Sequence, residues 1–173
     1  MIRQRPVELL APARNVECAM AAVDHGADAV YIGASRFGAR ASAGNSVEDI
    51  ARVVEYAHTF RVKVYVTVNT ILKDEELPET EKLVWALYRA GVDALIVQDM
   101  ALRRMNLPVE LHASTQAATR TPEQALFLER CGFARVILER ALSLDEIRTI
   151  RAACGVDLEC FVHGAICVGY SGR

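Results

Sequence analysis

The sequence predicts an α/β chain built as a parallel (β/α) barrel of the TIM type, truncated before its eighth strand. Three observations predict it. Strand-like and helix-like patterns alternate in units of about 25 residues along the 173-residue chain. The helix stops repeat: Gly26, Gly91 and Gly132 each end a helical pattern and pass at once into a short strand-like run. The strands carry polar residues in strict alternation, whereas a doubly wound sheet, buried on both faces, would read continuously apolar. Repeated βα units with short connections favour parallel strands and right-handed crossovers. A complete eight-unit barrel needs roughly 200 to 250 residues. Seven strands and six helices are therefore expected, in one incomplete domain over residues 1–173.

The elements follow in order. Val7–Pro12 reads as a short apolar strand, and Asn15 caps a helix over Val16–His25. Asp28–Ala34 is the second strand, followed by a Gly- and Arg-bearing loop over Ser35–Asn45. Ser46 caps Val47–Phe60, with Glu48 and Asp49 at the positive end of the helix. Val62–Thr70 is the third strand and Leu77–Ala90 the helix after it. Asp93–Asp99 is the fourth strand, with a short helix, Met100–Met105. Val109–Gln116 is the fifth, and Thr121-Pro122 opens Glu123–Cys131. Ala134–Glu139 is the sixth; Ser143 and Glu146 form a capping box ahead of Leu144–Ala153. Leu158–His163 is the seventh.

Alternation assigns the faces. Val62, Val64, Val66 and Val68 share one side of the third strand; Lys63, Tyr65, Thr67 and Asn69 share the other. The fifth strand sets Val109, Leu111 and Ala113 against Glu110, His112, Ser114 and Gln116. The seventh sets Leu158, Cys160 and Val162 against Glu159, Phe161 and His163. The apolar side meets the outer helices, so the polar side points into the barrel, where branched aliphatics are the rule. Early in each strand these residues are expected to form a satisfied network, with Lys63 neutralised by Glu8, Glu110 or Glu159. At the C-terminal strand ends, where barrel active sites lie, they are candidates for function. Asn69, Gln98, Gln116 and His163 are the catalytic candidates, beside Asp99 and Ser114. Arg36, Arg40, Glu139 and Arg140 are the substrate-binding candidates; the arginines suit a carboxylate or phosphate.

Composition narrows the classes. Hydrophobic residues make up 52% of the chain, enough to bury a core. No apolar run approaches a membrane span, and no secretory signal opens the chain, so a cytoplasmic location is expected. A net charge of −2 argues against a broad nucleic-acid face, though not against a local one at Arg36 and Arg40. Five cysteines, an odd number without a CxxC pair, do not suggest a disulfide framework. Cys167 leaves a strand for a Gly-containing turn, where a thiolate could meet a soft metal or cluster.

Several stretches carry a resemblance. They are Glu8–Ala13, Gly26–Tyr31, Val68-Asn69, Glu139–Ile147, and above all Phe161-Val162-His163-Gly164-Ala165 with Cys167 and Tyr170-Ser171-Gly172. With these the whole chain resembles the U-32 peptidase family, the collagenase-like proteases. The resemblance implies a barrel. In the family a second cysteine directly follows the residue matching Arg173, with two more further on, and several members use the four to hold a 4Fe–4S cluster. Cys167 is thus implied as one ligand; Cys160 matches no cluster position. Members divide between proteins named as proteases and proteins of oxygen-independent hydroxylation, acting on a tRNA or rRNA base or on a quinone precursor.

The resemblance is strongest to the RNA-modifying branch. It implies a parent iron–sulfur protein hydroxylating a tRNA or rRNA base, with RNA or a small carboxylate as partner. The alternatives are a collagenase-like peptidase, for which Ser114 with His163 is the one nominated nucleophile–base pair, and a non-catalytic barrel binding RNA or a protein. A redox cluster beside a polar mouth suits hydroxylation better than hydrolysis, which needs an activated nucleophile or a metal-bound water. The 173-residue chain alone is expected to hold no intact cluster, to be inactive, and to expose open barrel edges to self-association.

Overall fold

The computed structural model describes residues 7–38 and 44–164. Among them one sheet holds seven strands in chain order: β1 (Leu10–Ala13), β2 (Ala29–Gly33), β3 (Lys63–Val68), β4 (Ala94–Val97), β5 (Glu110–Ala113), β6 (Arg135–Ile137) and β7 (Asp157–Glu159). All neighbours pair in parallel. The helices between them are α1 (Val16–Asp24), α2 (Val47–Thr59), α3 (Leu77–Arg89), α4 (Ala101–Arg104), α5 (Pro122–Arg130) and α6 (Leu144–Ala153). The barrel architecture expected from the alternation is the one found. No helix among the described residues is long and apolar enough to cross a membrane.

The sheet is strongly curled. Five inter-strand steps of about 4.8 Å would put β1 and β6 roughly 24 Å apart in a flat sheet. Yet Glu8, just ahead of β1, reaches Arg135 on β6 at 2.5 Å. Two apolar layers result. The larger lies between sheet and helices and takes Val64, Val66 and Val68 from β3 with Ile50, Val53 and Val54 from α2. The smaller fills the barrel interior with Ala29, Tyr65, Ala94, Ile96 and Ile137. The interior is thus part aliphatic, as barrels usually are, and part polar.

Local signals set the helix boundaries. Asn15, Ser46, Thr121 and Ser143 each accept the backbone N–H three residues on, at 3.0 to 3.3 Å, a cap worth about 1 kcal/mol. At the other ends the N–H of Ala27, Val92 and Phe133 reaches back five residues to Ala22, Leu87 and Leu128. That closure needs a left-handed residue, supplied by Gly26, Gly91 and Gly132 at φ of 90°, 86° and 86°. Helix α2 closes the same way, Val62 to Ala57, but with Arg61 in the left-handed place at φ 61°. Without a glycine, this stop has no signature in the sequence.

The strands are shorter than the patterns predict, for identifiable reasons. β5 ends at Ala113 because Ser114 caps a single 3-10 turn over Thr115–Ala117. Gln116 is therefore on that turn, not on a strand. β7 ends at Glu159 because its neighbour β6 offers only three residues; the last bond between them runs from Leu138 N–H to Glu159 O at 2.9 Å. Cys160 to His163 lie beyond it and are exposed. The expected alternation of Phe161 and His163 into the barrel is thus not what the fold makes.

Candidate functional site at the barrel mouth

Polar side chains enter the interior at two levels. At the lower level Arg135 is the centre. Its Nη1 lies 2.5 Å from Glu8 Oε1 and 3.5 Å from Glu159 Oε2, and its guanidinium stands 5.4 Å from the Tyr65 ring centroid. The Tyr65 hydroxyl donates to the Glu8 carboxylate at 2.9 and 3.0 Å. The His112 ring meets Tyr65 edge-on at 4.8 Å. Lys63, expected as the principal cation, reaches Glu8 only at 3.9 Å and is half exposed. Arg135 takes that role instead. Its signal was available: position 135 shares a face with Ile137 and Glu139 by the strand period.

The charges settle accordingly. Burial works to raise Glu8, but the hydrogen bond and charge of Arg135, with Tyr65 and Lys63, outweigh it and hold the carboxyl below its usual value. Burial raises Glu159 to about 7, since its more distant contact with Arg135 offsets only part of that effect. Burial, then the Arg135 charge, pushes His112 down to about 3. His112 is therefore neutral, and its 3.5 Å approach to Glu110 is not an ion pair. This level is a structural network, in which one buried nitrogen, His112 Nδ1, has no partner among the described residues.

The upper level lies at the C-terminal strand ends. Asn69 Nδ2 donates to Ser114 Oγ at 3.1 Å, the Gln116 N–H donates to the same oxygen at 3.2 Å, and Gln98 Nε2 donates to the Gln116 carbonyl at 3.2 Å. Three of the four catalytic candidates thus form one chain through Ser114. Asp99 anchors the loop beneath it, accepting from Leu72 N–H at 2.9 Å and Ala101 N–H at 2.8 Å. His163, the fourth candidate, is exposed and four residues past β7. Among the described residues no hydrogen bond joins it to Ser114.

Glu139 and Thr119 differ from that chain. The Glu139 N–H donates to the Thr119 carbonyl at 3.1 Å. Both side chains are buried, and among the described residues Glu139 Oε2 and Thr119 Oγ1 have no partner. Glu139 Oε1 lies 3.8 Å from Arg120. Unsatisfied buried oxygens are uncommon and mark a place where a donor is wanted. Thr119 and Arg120 were not legible as site residues, because both lie in a loop without a strand or helix pattern.

The binding candidates are spread around this mouth. Arg36 pairs with Glu79 on α3 and lies over Phe37. Arg140 lies over the Phe161 ring, 3.9 Å from its centroid. Arg40 and Cys167 lie outside the described residues. Among the described residues no three His, Cys, Asp or Glu side chains are grouped to hold a metal ion. Cys18 and Cys160 are exposed, and the buried Cys154 thiol donates to the Ile150 carbonyl at 3.2 Å.

Beside the mouth opens a cleft of about 620 Å³. Its walls come from the loop after β3, the segments following β4 and β5, and α5.

This is a parallel barrel protein with a structural floor and a polar, partly unsatisfied mouth. The chain belongs to peptidase family U32, whose family model matches residues 14–173. It is 52% identical to the 23S rRNA 5-hydroxycytidine synthase of Escherichia coli (strain K12) over 96% of this chain and 26% of the relative. It is 40% identical to tRNA hydroxylation protein P1 of Bacillus subtilis (strain 168) over 100% of this chain and 42% of the relative. The chain thus spans between a quarter and a half of the length of these relatives. A solved U32 peptidase superposes with a TM-score of 0.73 at 18% identity, covering 91% of this chain and 70% of the other, which shows the shared fold.

Proposed function

We propose that the protein carrying this chain hydroxylates a pyrimidine base of rRNA or tRNA, and that the barrel mouth receives that base. The observation that carries the reading is the 52% identity to an rRNA 5-hydroxycytidine synthase across almost all of this chain. The geometry supports it. The mouth offers amide, hydroxyl and carboxylate groups at fixed positions, the kinds of group that read a base edge. The Ser114 hydroxyl, which a peptidase reading needs as nucleophile, accepts hydrogen bonds from Asn69 and Gln116 and none from a histidine among the described residues. In this reading Cys167 is one ligand of an iron–sulfur cluster completed by cysteines outside this chain, and the reaction takes place in the cytoplasm. No step assigned to the mouth residues depends on that cluster.

The test is a gene deletion followed by mass spectrometry of rRNA and tRNA nucleosides. Loss of a hydroxylated pyrimidine is expected, restored by the full-length gene and not by its Asn69→Ala form. Unchanged nucleosides, together with cleavage of a peptide substrate by the purified full-length protein, would replace the reading with hydrolysis.

A further inference from the structure

We propose that the cleft beside the mouth holds an unstacked nucleobase of the RNA, a neighbour of the base being modified. This rests on the RNA-hydroxylation reading and adds a second recognition site to it. The cleft of about 620 Å³ is within the range of small-ligand sites. Three large apolar side chains on its walls face solvent: Ile71 is 70% exposed, Phe127 59% and Met100 37%. They come from the loop after β3, from α5 and from the segment following β4, so they gather at one place from three parts of the chain. Other exposed apolar side chains, such as Phe60 and Leu144, do not line this cleft, and a grouping of three around one cleft marks a contact site.

The polar groups narrow the occupant. Gln98 spends one Nε2 proton on the Gln116 carbonyl, and its Oε1 takes no hydrogen bond among the described residues. Thr119 also lines the cleft; its side chain is fully buried and its hydroxyl has no partner among the described residues. An acceptor and a hydroxyl at the base of an apolar slot suit a flat heterocycle with donor and acceptor edges. Among the described residues the charged ones lining the cleft are Asp99 and Glu123, and no lysine or arginine lines it. A phosphate or a free carboxylate would meet repulsion there. An uncharged base face would not, and Phe127 offers a ring on which it can stack.

The position argues for a neighbour, not the target. Gln98 and Gln116 belong to both places: they end the hydrogen-bond chain of the mouth and form the inner edge of the cleft. The far wall is Phe127 and Leu128 on α5, outside the ring of strands. A base seated there lies beside the barrel axis while the next nucleotide reaches over the mouth.

The experiment uses the full-length protein and a heptanucleotide spanning the hydroxylated pyrimidine, with each flanking position made abasic in turn. Binding is read by fluorescence anisotropy. One flanking abasic position is expected to weaken binding about tenfold, the usual worth of one stacked base. Phe127→Ala should weaken the intact RNA similarly and make that abasic position neutral. Ile71→Ala, a second exposed position, should shift the same site less. Equal binding of intact and abasic RNAs by wild type and both variants overturns the cleft assignment, as does absence of any RNA binding. Hydrogen exchange showing the Phe127 region covered in the RNA-free full-length protein also overturns it, since another part of the chain then fills the cleft. If the nucleoside assay still shows hydroxylation, only the cleft assignment has failed. If hydroxylation is absent, the underlying reading has failed with it.

Discussion

At the floor of the barrel Arg135 meets two carboxylates beside a phenol; at the mouth Glu139 and Thr119 keep oxygens without a partner among the described residues. Both levels are polar and both face inward on the same strands. Arg135 and Glu139 stand four residues apart along and just beyond β6, two steps of its alternation. The difference lies in the oxygens: at the floor the carboxylates are held by Arg135 and the atom without a partner among the described residues is a nitrogen, His112 Nδ1. The floor places a cation where it ties β1 to β6 and β7, a use of polar groups that strengthens closure. The mouth leaves hydrogen-bonding capacity unspent, as a site that must bind something else does. Polarity inside a barrel is therefore not itself a sign of function; unsatisfied polarity at the strand C-termini is the sharper one.

The largest effect should come from breaking the floor. Arg135→Ala leaves Glu8 and Glu159 facing each other inside the barrel without their cation. Removing one partner of a buried ion pair usually costs 3 to 5 kcal/mol, and more than half of each carboxylate here is inaccessible to water, so about 2 to 3 kcal/mol is expected. A urea midpoint reads it. Glu139→Gln at the mouth should move the same midpoint by under about 1 kcal/mol, because the ion pair it removes, with the partly exposed Arg120, is loose at 3.8 Å. If the two substitutions destabilise equally, the division into floor and mouth is wrong.

A smaller effect, on pH dependence, sharpens the account of the floor. Glu159 rises from 4.5 to about 7 on folding, so the native state binds the extra proton and this group adds stability as pH falls from 7 toward 4.5. His112 falls from 6.5 to about 3, so the unfolded state binds the extra proton and stability is lost as pH falls from 6.5 toward 3. Between 4.5 and 6.5 the two oppose, and wild-type stability should be nearly flat. Below 4.5 the loss from His112 continues, and Glu8, held low by Arg135, adds to it. Glu159→Gln removes the compensating group, so its acid loss should start near 6.5, opening a gap from wild type of about 1 to 2 kcal/mol by pH 5. Melting temperatures measured from pH 4 to 8 decide this. Parallel curves for the two proteins would show that Glu159 titrates normally.

The legibility of the chain follows the same division. Caps, the glycine helix stops at Gly26, Gly91 and Gly132 and the inward alternation of β3 and β5 were readable because each is a local pattern with a local cause. The exceptions are instructive. Arg61 closes α2 from a conformation that favours glycine, so only the tertiary fold makes its role visible. Gln116 leaves the strand because Ser114, one residue earlier, caps a turn, and alternation carries no mark of where a strand ends. The cross-barrel contact of Glu8 with Arg135 spans 127 residues and follows from curvature, which no single strand encodes. The mouth chain of Asn69, Gln98 and Gln116 was legible by position, whereas Thr119 lies in a loop without a strand or helix pattern and the cleft gathers residues from four separate parts of the chain.

The smallest expected effect concerns Arg36, and it tests the mouth from its edge. The side chain pairs with Glu79, and both are more than half solvent-facing or close to it, at 59% and 50% exposure. An exposed pair of this kind contributes about 0 to 1 kcal/mol. Arg36→Ala and Glu79→Ala should therefore change stability alike and little. RNA binding separates them. If Arg36 serves the mouth, Arg36→Ala weakens RNA binding and flattens its salt dependence, because a phosphate contact is lost. Glu79→Ala, which releases the guanidinium from its partner, should leave RNA binding equal or tighter. Identical RNA affinities for both variants would make the pair a surface contact between the loop after β2 and α3, and would confine recognition to the unsatisfied groups at the strand ends.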